Sequence, residues 1–173
     1  MAETRLVGPF PEGKDAEDYD RQRRRILWAM PSGLYVLGSR AGDRRNLMTL
    51  NWACQVAMDP KLMAVSVEAG AVTRELVADG GCFSLNLIKR EDRSVVRKFV
   101  KPLDADLGGF EVHTAATGAP ILELAAAWLD CVVKESLVFA SHTLFVGEVV
   151  DCGGEVVGVE ILRMEDTRMS YGG

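Results

Sequence analysis

Few residues in this sequence of 173 are equipped for acid–base or metal chemistry, and their scatter narrows what the chain can do. The two histidines, His113 and His142, stand far apart, and neither falls at metal-ligand spacing from a cysteine or a second histidine. His142 opens an alternating run, SHTLFVGEVVD, directly after the polar turn Ala140-Ser141. A histidine at a strand end serves as readily as an exposed or satisfied residue as it does as a catalytic one. His113 lies in a loop and reads as structural. The four cysteines, Cys54, Cys82, Cys131 and Cys152, form no CxxC pair. Three of them sit in apolar strand-like runs, which suits buried, reduced thiols better than disulfides or zinc ligands. No Ser/His/Asp or Cys/His arrangement has local support, no carboxylate pair stands out, and no metal site is expected. So sparse a set of acids and bases fits a protein whose reactivity comes from a bound cofactor.

Polar groups are instead concentrated in one stretch, Asn46 to Val67, NLMTLNWACQVAMDPKLMAVSV. It reads as a strand from Leu47 to Asn51, an irregular corner of about eight residues, a turn at Asp59-Pro60 and a strand from Leu62 to Val67. The corner holds Thr49, Asn51, Trp52, Cys54 and Gln55. Hydrogen-bonding groups beside an indole could line a site for a flat, polar-edged aromatic ligand. Equally, Thr and Asn could do no more than satisfy the bending backbone, with Trp52 in the core. Further on, in EAGAVTRELVADGG, Thr73 can cap a short helix through Ala78 that Gly80 and Gly81 end. The free N–H groups at such a helix start make Gly70 to Arg74 a candidate phosphate seat, although most capped helices bind nothing. Asn86, inside the strand-like CFSLNLI, is either a satisfied bulge or a group aimed at a ligand.

The elements that would hold these residues point to one β-rich domain spanning 1–173. Residues 1–14 read as an extended arm. Asp15 then caps a helix with Glu17 and Asp18 in its first turn, Tyr19, Ile26, Leu27 and Met30 on one face, and Pro31 ending it. Leu34 to Ser39 reads as a strand that turns at Ala41-Gly42-Asp43. Asp92 can cap a second helix with the stripe Val95, Val96, Phe99 and Val100, stopped by Pro102. Strands follow at Ala127–Leu137, His142–Cys152 and near Val157–Met164. Strands with brief helices inserted, and no strand–helix alternation, predict an antiparallel barrel with peripheral helices.

Composition excludes other classes. A charge of −5 argues against a general nucleic-acid surface, and the RQRRR run reads as the solvated face of a helix. No run approaches the ~20 apolar residues of a membrane span. The first residues lack the order of a secretion signal, so a cytoplasmic protein is expected. GxGxxG and GxxxxGK[ST] are both missing, so neither the dinucleotide fold nor a P-loop has sequence support.

Taken in order, the motifs are PSGLYVL, N-x-M-T-x-N-W, a D-P turn, T-x-E-L, F-S-L-N-L, A-P-I-L, W-L-D-C and H-T-L-F-V-G-E-V. From about residue 26 onward this set resembles the flavin reductase-like family of FMN-binding split barrels, and within it the flavoredoxin-type branch. The resemblance implies a six-stranded antiparallel Greek-key split barrel with short peripheral helices, working as a homodimer with FMN near the subunit interface (FAD is possible). It implies an NAD(P)H-dependent flavin reductase that passes a hydride to flavin N5 and supplies reduced flavin to an acceptor or a flavin-dependent monooxygenase. The alternatives are an FMN-binding electron carrier that does not use NAD(P)H directly, and a structural dimer without flavin.

Residue by residue, the resemblance assigns the isoalloxazine and ribityl chain to Thr49, Asn51, Trp52, Ala53 and Cys54, with Asn46 opening the same motif. It assigns phosphate contacts to Ala71, Thr73 and neighbouring backbone N–H groups. Asn86 falls at the family's strand asparagine, His142 at the histidine near the nicotinamide, and Tyr171-Gly172-Gly173 at the tail that closes over the flavin. Three departures stand out: Ala71 where Ser is frequent, Ser141 where Asp commonly precedes the histidine, and QVAMDP where S-V-S-L-x-P is usual.

Overall fold

The computed structural model describes residues 6–169 and 171. The arm folds back on the first helix: Phe10 meets Tyr19 edge-on at 6.5 Å between ring centres, and Arg23 donates to the Pro9 carbonyl. Asp15 caps α1 (Ala16–Trp28) as expected, accepting from the Asp18 N–H at 2.9 Å. The expected apolar face is turned to solvent, however. Ile26, Leu27 and Met30 are exposed, while Asp20 is the buried residue, held by Arg23 and by Arg24 at 3.1 Å. A carboxylate with two guanidinium partners satisfies its charge where an unpaired one could not be buried.

β1 (Tyr35–Ala41) and β2 (Arg44–Leu50) form a hairpin through Gly42-Asp43, with Gly42 at φ +57°, the left-handed conformation such a two-residue turn requires. The expected eight-residue corner is only Asn51-Trp52. β3 (Ala53–Met58) follows at once and turns at Asp59-Pro60 into β4 (Lys61–Glu68). The sequence hid β3 because Cys54, Gln55, Val56 and Met58 are all exposed, so no in–out alternation marks the strand. Next come α2 (Val72–Gly80), β5 (Cys82–Leu87), short β6 (Val112–Thr114) and β7 (Pro120–Leu122), and the long hairpin β8 (Ala127–Val138) and β9 (His142–Gly154).

The main sheet is antiparallel and seven-stranded, in the order β2-β1-β5-β8-β9-β4-β3, where six strands were expected. The edge strands β2 and β3 are joined by the Asn51-Trp52 step and not by a hydrogen-bonded ladder. The sheet nonetheless curls on itself, because Leu50 of β2 and Val65 and Val67 of β4 share one core with Leu37, Phe83, Leu85, Cys131 and Phe145. Full burial of each such aliphatic or aromatic side chain stabilises by roughly 1.5–3 kcal/mol. A second core lies on the opposite face of β1 and β2. There Leu34, Val36, Leu47 and Ile88 pack under Val96, Phe99, Leu107, Leu122 and Leu162.

Two expected elements are shorter than read. Asp92 caps no helix: the segment makes two 3-10 turns, Arg90–Asp92 and Val95–Phe99, with Val96 and Phe99 buried and Val100 exposed. The last strand is reduced to two isolated bridges, Lys89 with Ile161 and Gly33 with Arg163. Its backbone still pins the chain end, as Leu162 accepts from the Leu34 N–H at 3.1 Å and donates to the Ile88 carbonyl at 2.8 Å.

Candidate functional site

The β4–β9 register sets Ser66 opposite Leu144 and Glu68 opposite His142. Opposed residues of an antiparallel pair share one face of the sheet. Their alternates Val65, Val67, Thr143 and Phe145 are all buried, so Ser66, Glu68, Leu144 and His142 stand on the outward face. Trp52 reaches the same place from the β2–β3 step, where its carbonyl accepts from the Ser66 N–H at 3.0 Å. Its ring lies 4.8 Å from the His142 ring and 5.3 Å from that of Tyr171, centre to centre. Ser141 Oγ is 2.9 Å from His142 Nδ1, and the Tyr171 hydroxyl is 3.0 Å from Nε2. Beside this aromatic group opens a cavity of about 140 Å³, lined by Met48, Thr49, Asn51, Ser66, Glu68 and Tyr171 among others.

Burial holds the His142 imidazole below its ordinary pKa, with the Glu68 carboxylate pulling the other way. A neutral imidazole donates from one nitrogen and accepts at the other, which matches its two hydroxyl neighbours. Burial, then Glu68, pushes the Tyr171 phenol up, so it stays protonated at neutral pH.

The other residues expected at the site divide by accessibility. Thr49 donates to the Val96 carbonyl while its side chain lines the cavity, and Asn51 is buried at the cavity wall. Ala53 begins β3, with its N–H on the Asn51 carbonyl at 3.1 Å, and Cys54 is exposed beside it. The N-cap of α2 is Ala71, not Thr73, and its side chain makes no capping bond. Thr73 is fully buried, and its hydroxyl accepts from Asn46 Nδ2 at 2.8 Å. Asn46 Oδ1 accepts in turn from the Leu103 N–H at 3.1 Å. Thus the first turn of α2 can offer an anion its backbone N–H groups, with Arg74 nearby on Thr143 at 3.4 Å, while Asn46 and Thr73 are spent on each other.

Asn86 is likewise interior. It donates to the Val36 carbonyl at 2.9 Å and accepts from the Leu122 N–H at 2.8 Å, which pins β7 to the sheet. His113 sits in β6, not in a loop, and pairs with Glu123 at 2.9 Å. Gly172 and Gly173 of the expected tail lie outside the described residues. Glu68 was not singled out from the sequence. The signal for it was the pairing of the strand ending in Glu68 with the strand opening at His142, which no local motif encodes. Among the described residues no group of three or more His, Cys, Asp or Glu is placed to hold a metal ion. No helix of the structure is long and apolar enough to cross a membrane.

A half-exposed indole, a hydroxyl and amide edge, and a nearby helix N-terminus suit in kind a flat ring carrying a phosphate. The cavity is smaller than the ~300–1,000 Å³ of whole ligand sites, so it can hold only part of such a group. The chain is 32% identical over 131 residues to the NADH-dependent flavin reductase StyB of Pseudomonas fluorescens, covering 75% of this chain and 76% of that one. It is 26% identical over 142 residues to diflavin flavoprotein A 1 of Synechocystis sp., covering 80% of this chain and 25% of that protein. The chain therefore spans only about a quarter of the length of the diflavin flavoproteins that it matches. Among solved structures, flavoredoxin from Methanosarcina acetivorans superposes with a TM-score of 0.70 at 26% identity, covering 83% of this chain and 88% of that one. The family model of the flavin reductase like domain matches residues 27–166, and with that span the chain belongs to the flavin reductase-like family.

Proposed function

We propose that this chain binds FMN, or FAD, and acts as an NAD(P)H-dependent flavin reductase. The observation that carries the reading is the meeting of Trp52, His142 and Tyr171, from three separate segments, beside a cavity that Tyr171 lines together with Thr49, Asn51, Ser66 and Glu68. When flavin is bound, it supplies the hydride chemistry, with NAD(P)H as donor and N5 as acceptor. The chain's own work is placement. Trp52 and Tyr171 offer aromatic surface to a ring system, and Thr49 and Asn51, with the backbone of Ala53 and Cys54, offer its polar edge hydrogen bonds. Ala71 and the first turn of α2 provide N–H groups for a phosphate, Asn46 and Thr73 hold that turn in place, and Arg74 adds positive charge. A nicotinamide carboxamide arriving here would take over one of the bonds that Ser141 and Tyr171 make to the His142 ring nitrogens.

Reduced flavin or electrons would then pass to an acceptor, a flavin-dependent monooxygenase among them, inside the cytoplasm. A homodimer is part of the reading, because α1, the turn after it and edge strand β3 expose Ile26, Leu27, Met30, Val56 and Met58. A second reading, an FMN electron carrier without direct NAD(P)H use, is favoured by the likeness to a flavoredoxin. Titration of FMN followed by flavin fluorescence, with mass from light scattering, tests the binding step. Saturable binding to a dimer, weakened by Trp52→Ala, is expected. No binding at high micromolar FMN rejects the reading.

A further inference from the structure

We propose that Glu68, the register partner of His142 in the β4–β9 ladder, is a positioning residue of this site: its carboxylate charge governs whether the imidazole meets a ligand with an N–H or with a lone pair. The geometry comes from the backbone. Glu68 and His142 are register partners on one outward face, and the Ala69 N–H to Ser141 carbonyl bond at 2.9 Å closes the ladder just beyond them. Glu68 also lines the cavity together with Tyr171. Among the described residues Glu68 forms no ion pair, so its charge is not spent on a lysine or arginine.

The groups facing the imidazole are Ser141 at Nδ1, Tyr171 at Nε2 and the Trp52 ring. Arg74 of α2 bonds to the next residue, Thr143, whose side chain lies on the inward face. Glu68 opposes the desolvation that disfavours the imidazolium. A protonated ring donates from both nitrogens, whereas a neutral ring donates from one. The carboxylate has a second consequence. It repels phosphate from the part of the cavity that Glu68 lines and tolerates a neutral amide there, which orients a nicotinamide nucleotide carboxamide-first. That consequence rests on the proposed function, while the effect on His142 does not.

The two parts are tested separately. In flavin-free protein, the His142 imidazole is followed by NMR across pH and assigned with His142→Gln. Glu68→Gln should lower the His142 midpoint reproducibly. A circular dichroism spectrum and urea midpoint matching the wild type show that the variant is folded. A His142 midpoint that stays put in folded Glu68→Gln overturns the proposal. In flavin-loaded protein, the pH profile of NADH-driven reduction should shift in the same direction as the midpoint. A profile that stays fixed while the midpoint moves removes Glu68 from ligand positioning. Absence of flavin binding would reject the proposed function and leave the first test intact.

Discussion

The side-chain amide of Asn46 donates to the Thr73 hydroxyl at 2.8 Å inside the protein, joining β2 to the first turn of α2. Thr73→Val would leave that amide without its partner. Removing one partner of a buried hydrogen bond costs about 1–3 kcal/mol. The variant should lose that much stability in urea unfolding and should weaken FMN and riboflavin to similar degrees. A loss confined to FMN would instead make Thr73 a phosphate ligand.

Asn86 should behave as structure and not as a ligand-binding group. Asn86→Ala removes one bond to the Val36 carbonyl and one from the Leu122 N–H, both buried. We expect a destabilisation of about 2–4 kcal/mol, from two unsatisfied groups and a small cavity. At a temperature where the variant remains folded, FMN affinity should change less than threefold. Equilibrium unfolding and a flavin titration on the same sample check this.

How much of this was legible in the sequence depends on burial. β9 was readable because its first half alternates between half-buried and buried residues, and β5 because it is short, rich in apolar residues and buried almost throughout. β3 was not, since an edge strand exposed on both faces carries no pattern. Val157–Met164 suggested a strand by composition, yet only two residues, Ile161 and Arg163, find bridge partners. At the site, Trp52 and His142 could be named from local motifs. The partnership of Glu68 with His142 depends on strand register, a long-range property that a single sequence does not display. The interior roles of Asn46, Thr73 and Asn86 were hidden for the same reason, because their partners are distant in sequence.

The cysteines should separate by reactivity. Cys82 and Cys131 are buried, and burial pushes the Cys131 thiol up to about 12 and raises Cys82 as well. Cys54 and Cys152 are exposed. Labelling native protein with a thiol-specific disulfide reagent should modify Cys54 and Cys152 quickly and the other two only after denaturation. Rapid reaction of all four would contradict the packing described around Cys131.

His142 should shape the acid side of the stability curve. Burial holds its folded pKa below the ordinary 6.5. Above that value the ring is neutral in both folded and unfolded chains and makes no pH-dependent contribution. As pH falls through 6.5 toward the lower folded value, the unfolded chain takes up the proton first, so stability falls. His142→Gln should flatten this part of the curve, measured as urea midpoints between pH 7.5 and 5. An unchanged slope would mean that the ring is fully solvated.

The central claim is that the Trp52–His142–Tyr171 site receives a nicotinamide beside a bound flavin. Its most direct measurement is anaerobic bleaching of the flavin absorbance by NADH and NADPH in FMN-loaded protein, with His142→Ala in parallel. The account predicts bleaching in the wild type and a slowing of about tenfold or more in the variant, with FMN affinity nearly unchanged. Dithionite should reduce both proteins normally. Failure of both nucleotides to bleach wild-type protein that has bound FMN would contradict the reductase account, and equal rates in the two proteins would remove His142 from it.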